Sequence, residues 1–173
     1  VSKASSDMII KAWWRTYNFP AIITNCSNNF GPCQNKEKFI PTVITKILNG
    51  EKVPVYGDGM NVRDWLYVED HVCTLVSLVN SVLTKEQLCV GGRNEYTNID
   101  LIKKIMSILE LEAKIKIDTE SSLLFVKDRK GHDRRYSVSI NKLQKHLGTV
   151  SSKESFYKNL LKTVLFYKNE INF

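Results

Sequence analysis

No uninterrupted apolar run in the 173 residues approaches the roughly 18 that a membrane-spanning helix needs, so no span is expected. A Gly-x-Gly-x-x-Gly turn is missing too: Gly57-Asp58-Gly59 is too short, and Gly91-Gly92 is a weak signal. The four cysteines (Cys26, Cys33, Cys73, Cys89) are spaced too irregularly for a Cys-x-x-Cys zinc or redox motif. They are too few for a disulfide scaffold, which points to a reducing, cytoplasmic setting. His71, His132 and His146 lie too far apart for a helical ligand pair, so no metal site is expected. No nucleophile–base pair or paired-carboxylate constellation stands out. Acidic residues are in deficit, 18 Asp+Glu against 25 Lys+Arg, for a net charge of +7. Such an excess invites a polynucleotide reading, but nucleic-acid binders concentrate their charge around aromatic platforms or a reading helix. Here lysines such as Lys103, Lys104, Lys142, Lys145, Lys158 and Lys162 scatter over solvated helix faces, and no nucleic-acid partner is expected.

What is present suits a folded domain: 43% hydrophobic and 25% charged residues, in a chain long enough to bury a core. Val1 leads into a polar, helix-like stretch rather than a signal peptide; the missing initiator Met implies processing or truncation. Over 2–17, Ile9, Trp13 and Tyr17 recur every fourth residue beside Met8 and Ala12, predicting a helix that Pro20 ends. Residues 21–25 read as a buried strand and 25–36 as a loop. A second helix is predicted over 37–49, with Pro41 in its first turn and Gly50 closing it. Val53–Tyr56 reads as a strand, Gly57-Asp58-Gly59 as a tight turn and 63–68 as the returning strand. A third helix follows with Val72, Leu75, Val76, Val79 and Val82 on its apolar face, then a strand at Gln87–Val90; Cys73 and Cys89 read as core residues. Asn98 is the expected N-cap of a fourth helix and 114–118 the expected last strand. Ser151-x-x-Glu154 reads as a capping box opening a final helix whose core face carries Phe156, Leu160, Val164 and Tyr167. This alternation means an α/β fold, but about three convincing strands are few for a complete doubly wound sheet.

Three polar stretches carry the chemistry. Asn25-Cys26-Ser27-Asn28-Asn29 follows a strand, where open α/β sheets bind ligands, or is simply an Asn-rich turn. Arg63 could fork onto a phosphate, or pair with Asp64 or Asp58. Asp128-Arg129-Lys130-Gly131-His132-Asp133-Arg134-Arg135 gathers four cations, two carboxylates and a histidine around a glycine. A small phosphorylated ligand suits that mixture better than a polynucleotide, whose extended backbone Asp128 and Asp133 would repel; a solvated charged loop is the alternative.

Taken in order, these stretches resemble the extended short-chain dehydrogenase/reductase family, and within it the dTDP-glucose 4,6-dehydratases. The words that carry the resemblance are Ser2-Lys3-Ala4-Ser5-Ser6-Asp7, Asn25 through Pro32, Glu37-Lys38-Phe39-Ile40-Pro41, Val55-Tyr56-Gly57-Asp58-Gly59, Arg63 through His71, Gly91-Gly92-x-Asn94-Glu95 and Asp128 through Tyr136. The resemblance implies an NAD-binding Rossmann lobe, represented here only by its last elements (1–29 and 69–92). It implies a smaller nucleotide-sugar-binding lobe over 30–68 and 93–173. In such enzymes NAD takes hydride from C4 of the hexose, water leaves across C5 and C6, and hydride returns to C6. Lys3 matches the lysine of the Tyr-x-x-x-Lys pair and so bears on catalysis and cofactor; Asn29 matches a position near the cofactor. Asn28, Lys38, Phe39, Pro54, Val55, Tyr56, Arg63, Asn98, Asp128, Arg129, Lys130, Gly131 and His132 match substrate-binding positions. Lys130 stands where the family usually has proline, and Val1 where it has a small alanine. The Gly-rich loop, catalytic tyrosine and acid/base carboxylates have no counterpart here, so the chain alone is expected to be inactive. A homodimer through the Ser2–Tyr17 helix is also implied. A UDP-sugar epimerase or dehydratase, and a non-catalytic binding remnant, are the alternatives.

Overall fold

A computed structural model describes residues 1–148 and 154–171 and contains, among them, six helices and eight strands. They run α1 Ser2–Tyr17, β1 Ile23–Cys26, β2 Asn28–Phe30, α2 Phe39–Leu48, β3 Val53–Tyr56, β4 Val62–Tyr67, α3 Val68–Val79, β5 Gln87–Val90, β6 Glu95–Thr97, α4 Asn98–Ala113, β7 Leu123–Val126, β8 Arg135–Tyr136, α5 Asn141–Leu147 and α6 Phe156–Ile171. The fold is α/β with mostly parallel pairing: β1 with β5, β3 with β7, and β4 with both β2 and β8; only β4–β6 is antiparallel. No helix among the described residues is long and apolar enough to cross a membrane.

Strand β4 is the organiser. Its first residues pair with β6 and β8 and its last three with β2, so both edges are filled and residues 63–67 are buried without a break. Alternation disappears because the strand is covered on both faces. On one side, α2, α4 and α6 pack around Ile40, Ile44, Trp65, Leu101, Ile105, Leu160, Val164 and Tyr167. A smaller core joins Leu66, Leu78, Leu88 and Val90 to Ile140 and Leu143.

Several expectations change. β2 lies within the predicted 25–36 loop, because two asparagines hide a strand whose Phe30 is buried. β4 does not return along β3: the Gly57–Gly59 turn carries the chain to another sheet, and apolar β7 supplies β3's partner. Residues 114–118 form no strand. Lys114 caps α4 in the left-handed region, and the pairing strand comes later as β7. Thr97, not Asn98, is the N-cap of α4, its Oγ1 accepting the Asp100 N–H at 3.0 Å. Pro20 is not what ends α1; left-handed Asn18 does, its N–H returning to the Trp13 carbonyl. Ser151 of the predicted Ser151-x-x-Glu154 capping box lies outside the described residues.

The largest correction concerns α3. It buries Thr74 and Leu78, while Val72, Val76, Val79 and Val82 of the expected core face are exposed, as is Cys73. Leu78 joins the small core, whereas no described element covers the valine stripe. α1 is similar: none of its residues is buried, and Met8, Ile9, Trp13 and Tyr17 stand exposed. It is fastened by polar contacts, Asp7 accepting from Asn25 Nδ2 at 3.4 Å and Gln87 Nε2 at 3.2 Å.

Candidate functional site

Strand periodicity divides the polar residues between two faces. Asn28 is the register partner of Trp65, and Arg63 lies two residues back along β4; these three side chains line one cavity of about 500 Å³. Its other walls are the first turn of α2 (Glu37, Lys38, Phe39, Thr42, Val43), β3 (Val53, Pro54, Val55, Tyr56), the start of α4 (Asn98, Ile102), and Arg129 and His132. The lining mixes apolar with polar and charged side chains, as expected of a small-molecule site.

The cavity is electropositive: Lys38, Arg63 and Arg129 face it against one carboxylate, Glu37. Arg63 is 9% exposed, and its Nη1 donates to the Val62 carbonyl at 2.7 Å. The carboxylates that might have neutralised it are engaged elsewhere. Asp58 receives Arg134 at 2.7 and 2.9 Å, and Asp64 accepts the N–H groups of Gly92 and Asn94. Burial lowers the Arg63 pKa, with Asp133 opposing that trend from a distance. A buried guanidinium with no carboxylate within ion-pair distance among the described residues gains most from an anion brought by a ligand. The start of α2 adds to this, since Lys38 makes no side-chain cap and the first-turn N–H groups carry the positive end of the helix dipole.

The charged loop is a built structure. His132 Nδ1 bonds Asp128 Oδ1 at 2.7 Å, and the Arg129 N–H meets the same oxygen at 2.8 Å. The His132 bond holds the Asp128 carboxyl below its ordinary range. Asp128 thereby fixes the two residues that reach the cavity, Arg129 and His132. Asp128, Lys130 and Gly131 themselves are exposed and not among the lining residues.

On the opposite face, Asn29 Oδ1 meets His71 Nδ1 at 2.8 Å, while Asn29 Nδ2 donates to Cys26 Sγ and the Ser27 carbonyl. The carboxamide is thus fixed at the carboxyl end of β1, whereas Lys3 stands exposed on α1. Neither residue belongs to the cavity. Burial depresses the His71 pKa. The folded state therefore binds this proton less readily than the unfolded chain. Stability contributed by neutral His71 is complete above the ordinary histidine pKa and is lost as pH falls through the depressed value. Urea midpoints should drop between pH 7.5 and pH 5, and His71→Gln should flatten that dependence; an equal slope in the variant refutes the assignment.

Ten of the thirteen predicted substrate residues meet around one cavity: Asn28, Lys38, Phe39, Pro54, Val55, Tyr56, Arg63, Asn98, Arg129 and His132. Glu37, Thr42, Val43, Val53, Trp65 and Ile102 also line it and were not singled out from the sequence. The adjacency of Glu37 to Lys38, and the two-residue step from Arg63 to Trp65, were the available signals.

Residues 1–157 match the model of the GDP-mannose 4,6 dehydratase family. A dTDP-glucose 4,6-dehydratase of Neisseria meningitidis is 46% identical over 170 residues, covering 96% of this chain and 48% of the relative. Among solved structures, the Bacillus anthracis dTDP-glucose 4,6-dehydratase in complex with NAD superposes with a TM-score of 0.88 at 39% identity, over 99% of this chain and 52% of that one. The Streptomyces venezuelae dTDP-glucose 4,6-dehydratase, also with NAD bound, gives 0.87 at 38% identity over 99% and 51%. The chain thus spans about half the length of the relatives it matches.

Proposed function

The chain belongs to the GDP-mannose 4,6 dehydratase family, and from that membership we propose that it carries the nucleotide-sugar-binding side of a dTDP-glucose 4,6-dehydratase. The whole protein would be an NAD-dependent lyase converting dTDP-glucose to dTDP-4-keto-6-deoxyglucose in the cytoplasm. The observation that carries this reading is Arg63, a buried cation without a carboxylate partner among the described residues, in a cavity framed by Lys38 and Arg129. The diphosphate belongs against Arg63, Arg129 and the α2 N-terminus, the base against the apolar wall of Phe39, Pro54, Val55 and Tyr56, and the sugar toward Asn28. Segments 30–68 and 93–173 form the substrate lobe, and 1–29 with 69–92 the last elements of the cofactor lobe.

NAD, when bound, supplies hydride acceptance and return. This chain's share in holding it is small and fits contact with the group rather than enclosure. Asn29 offers a carboxamide already oriented by His71 at the carboxyl end of β1. Lys3 offers an ammonium with no ion-pair partner among the described residues; placed near a tyrosine hydroxyl, it would favour the phenolate.

Calorimetric titration of the 173-residue chain with dTDP tests the reading. One-to-one binding that dTMP cannot match is expected, because the diphosphate carries the charge; equal affinity for dTMP contradicts it. The exposed Met8, Ile9, Trp13 and Tyr17 stripe on α1 supports a homodimer through this helix. Sedimentation should show self-association that Ile9→Lys abolishes; an unchanged distribution in the variant excludes α1 as the contact.

A further inference from the structure

The sequence treats Tyr167 as one more core residue of α6, and its ring is indeed buried at 1% exposure. Its hydroxyl, however, leaves the core and donates to the backbone carbonyl of Gln34 at 2.5 Å. Burial pushes the Tyr167 pKa up to about 12, so the group is a neutral donor at any working pH. Gln34 in turn donates from Nε2 to the Asn29 carbonyl of β2 at 2.9 Å. The same segment is held at its far end, where Thr42 Oγ1 donates to the Lys36 carbonyl and the Lys38 N–H meets the Asn35 carbonyl. Glu37, Lys38 and Phe39, which line the cavity, follow immediately.

We infer that Tyr167 is a positioning residue for ligand binding: its hydroxyl, through Gln34, fixes the 31–38 segment so that Lys38 and Phe39 face the nucleotide. Helix α6, which contributes no lining residue, thereby acts on the shape of a site it does not line. The inference rests on the cavity's being the nucleotide site. A loop of eight polar and small residues held only at its ends would sample many conformations, and ordering it on binding would weaken affinity.

Tyr167→Phe keeps the ring and removes only the hydroxyl. In calorimetry with dTDP, well below the melting temperature, affinity should fall about fivefold to tenfold, the order of one lost hydrogen bond. A role confined to packing would lower the melting temperature and leave the affinity of the folded chain unchanged. In a Lys38→Ala background the Tyr167→Phe penalty should shrink, since one of the two residues being positioned is gone. If Tyr167→Phe does not fold, Gln34→Ala, which cuts the tie to Asn29, must weaken dTDP binding instead. Wild-type affinity in the folded variant, or an undiminished penalty in the Lys38→Ala background, overturns the inference alone. Failure of the wild-type chain to bind dTDP overturns it together with the reading of the cavity.

Discussion

Arg63→Met is expected to weaken dTDP binding about 100-fold while leaving the unliganded chain as stable as before. Most mutations of a buried arginine break an ion pair and destabilise the fold. Here no carboxylate is paired with the guanidinium among the described residues, and its recorded bond goes to the neighbouring Val62 carbonyl. The Val62 bond and the distant Asp133 therefore offset its desolvation only in part until an anion arrives. Methionine fills a similar volume and removes that cost. A diphosphate deprived of its fork loses two charge-assisted bonds, and a 100-fold effect corresponds to about 2.8 kcal/mol. Arg63→Lys should recover only part of the loss, because an ammonium cannot offer two parallel donors. Calorimetry and thermal melts on the same preparations check both halves. A large fall in stability with unchanged affinity would make Arg63 a structural residue instead.

Gly92→Ala should cost about 3 kcal/mol of folding stability, lowering the melting temperature by roughly 6–12 °C for a chain of this size. The cause is contact rather than backbone angle. A Cβ at Gly92 would lie 1.9 Å from the Trp65 carbonyl oxygen and 2.6 Å from its carbonyl carbon. Neither neighbour can swing aside, because both belong to the backbone of β4. The same approach lets the Gly92 and Asn94 N–H groups reach the buried carboxylate of Asp64 at 3.0 and 2.8 Å. Moving Gly92 outward would strip Asp64 of a donor as well as disturb the strand that carries Arg63. Urea denaturation gives the loss directly; a midpoint within error of wild type would mean that β4 and the 91–94 turn approach less closely than described.

The sequence was informative where one physical signal dominated. The α2 helix and the β1, β3 and β5 strands follow from periodicity and breakers, since local pattern and final packing agree there; α1 follows from periodicity although its apolar face is exposed. Composition pointed to anion chemistry in the 128–135 stretch; it left Arg63 open between a phosphate and a carboxylate pair and Asn28 open between a ligand contact and a turn, while Lys38 entered only through the family resemblance. Strand β2 was hidden because asparagine, which strands disfavour, fills two of its three positions. β8 is two charged and aromatic residues long, and β6 three residues; both exist only because β4 offers an open edge. The valine stripe of α3 misled for the opposite reason: it is a genuine apolar face, but no described element covers it. Periodicity marks an apolar face without telling whether the fold buries it. The separation of Asn28 from Asn29 onto opposite faces, and the tie from Tyr167 to Gln34, depend on register and long-range contact.

Amide hydrogen exchange of the 173-residue chain with and without saturating dTDP tests the central claim most directly. If the cavity holds the nucleotide, exchange should slow in 36–44, 53–58, 62–66 and 127–133, while α1 and α3 keep their unliganded rates. Slowing confined to α1, α3 or the carboxyl end of β1, or no slowing at all with the chain folded, would contradict it.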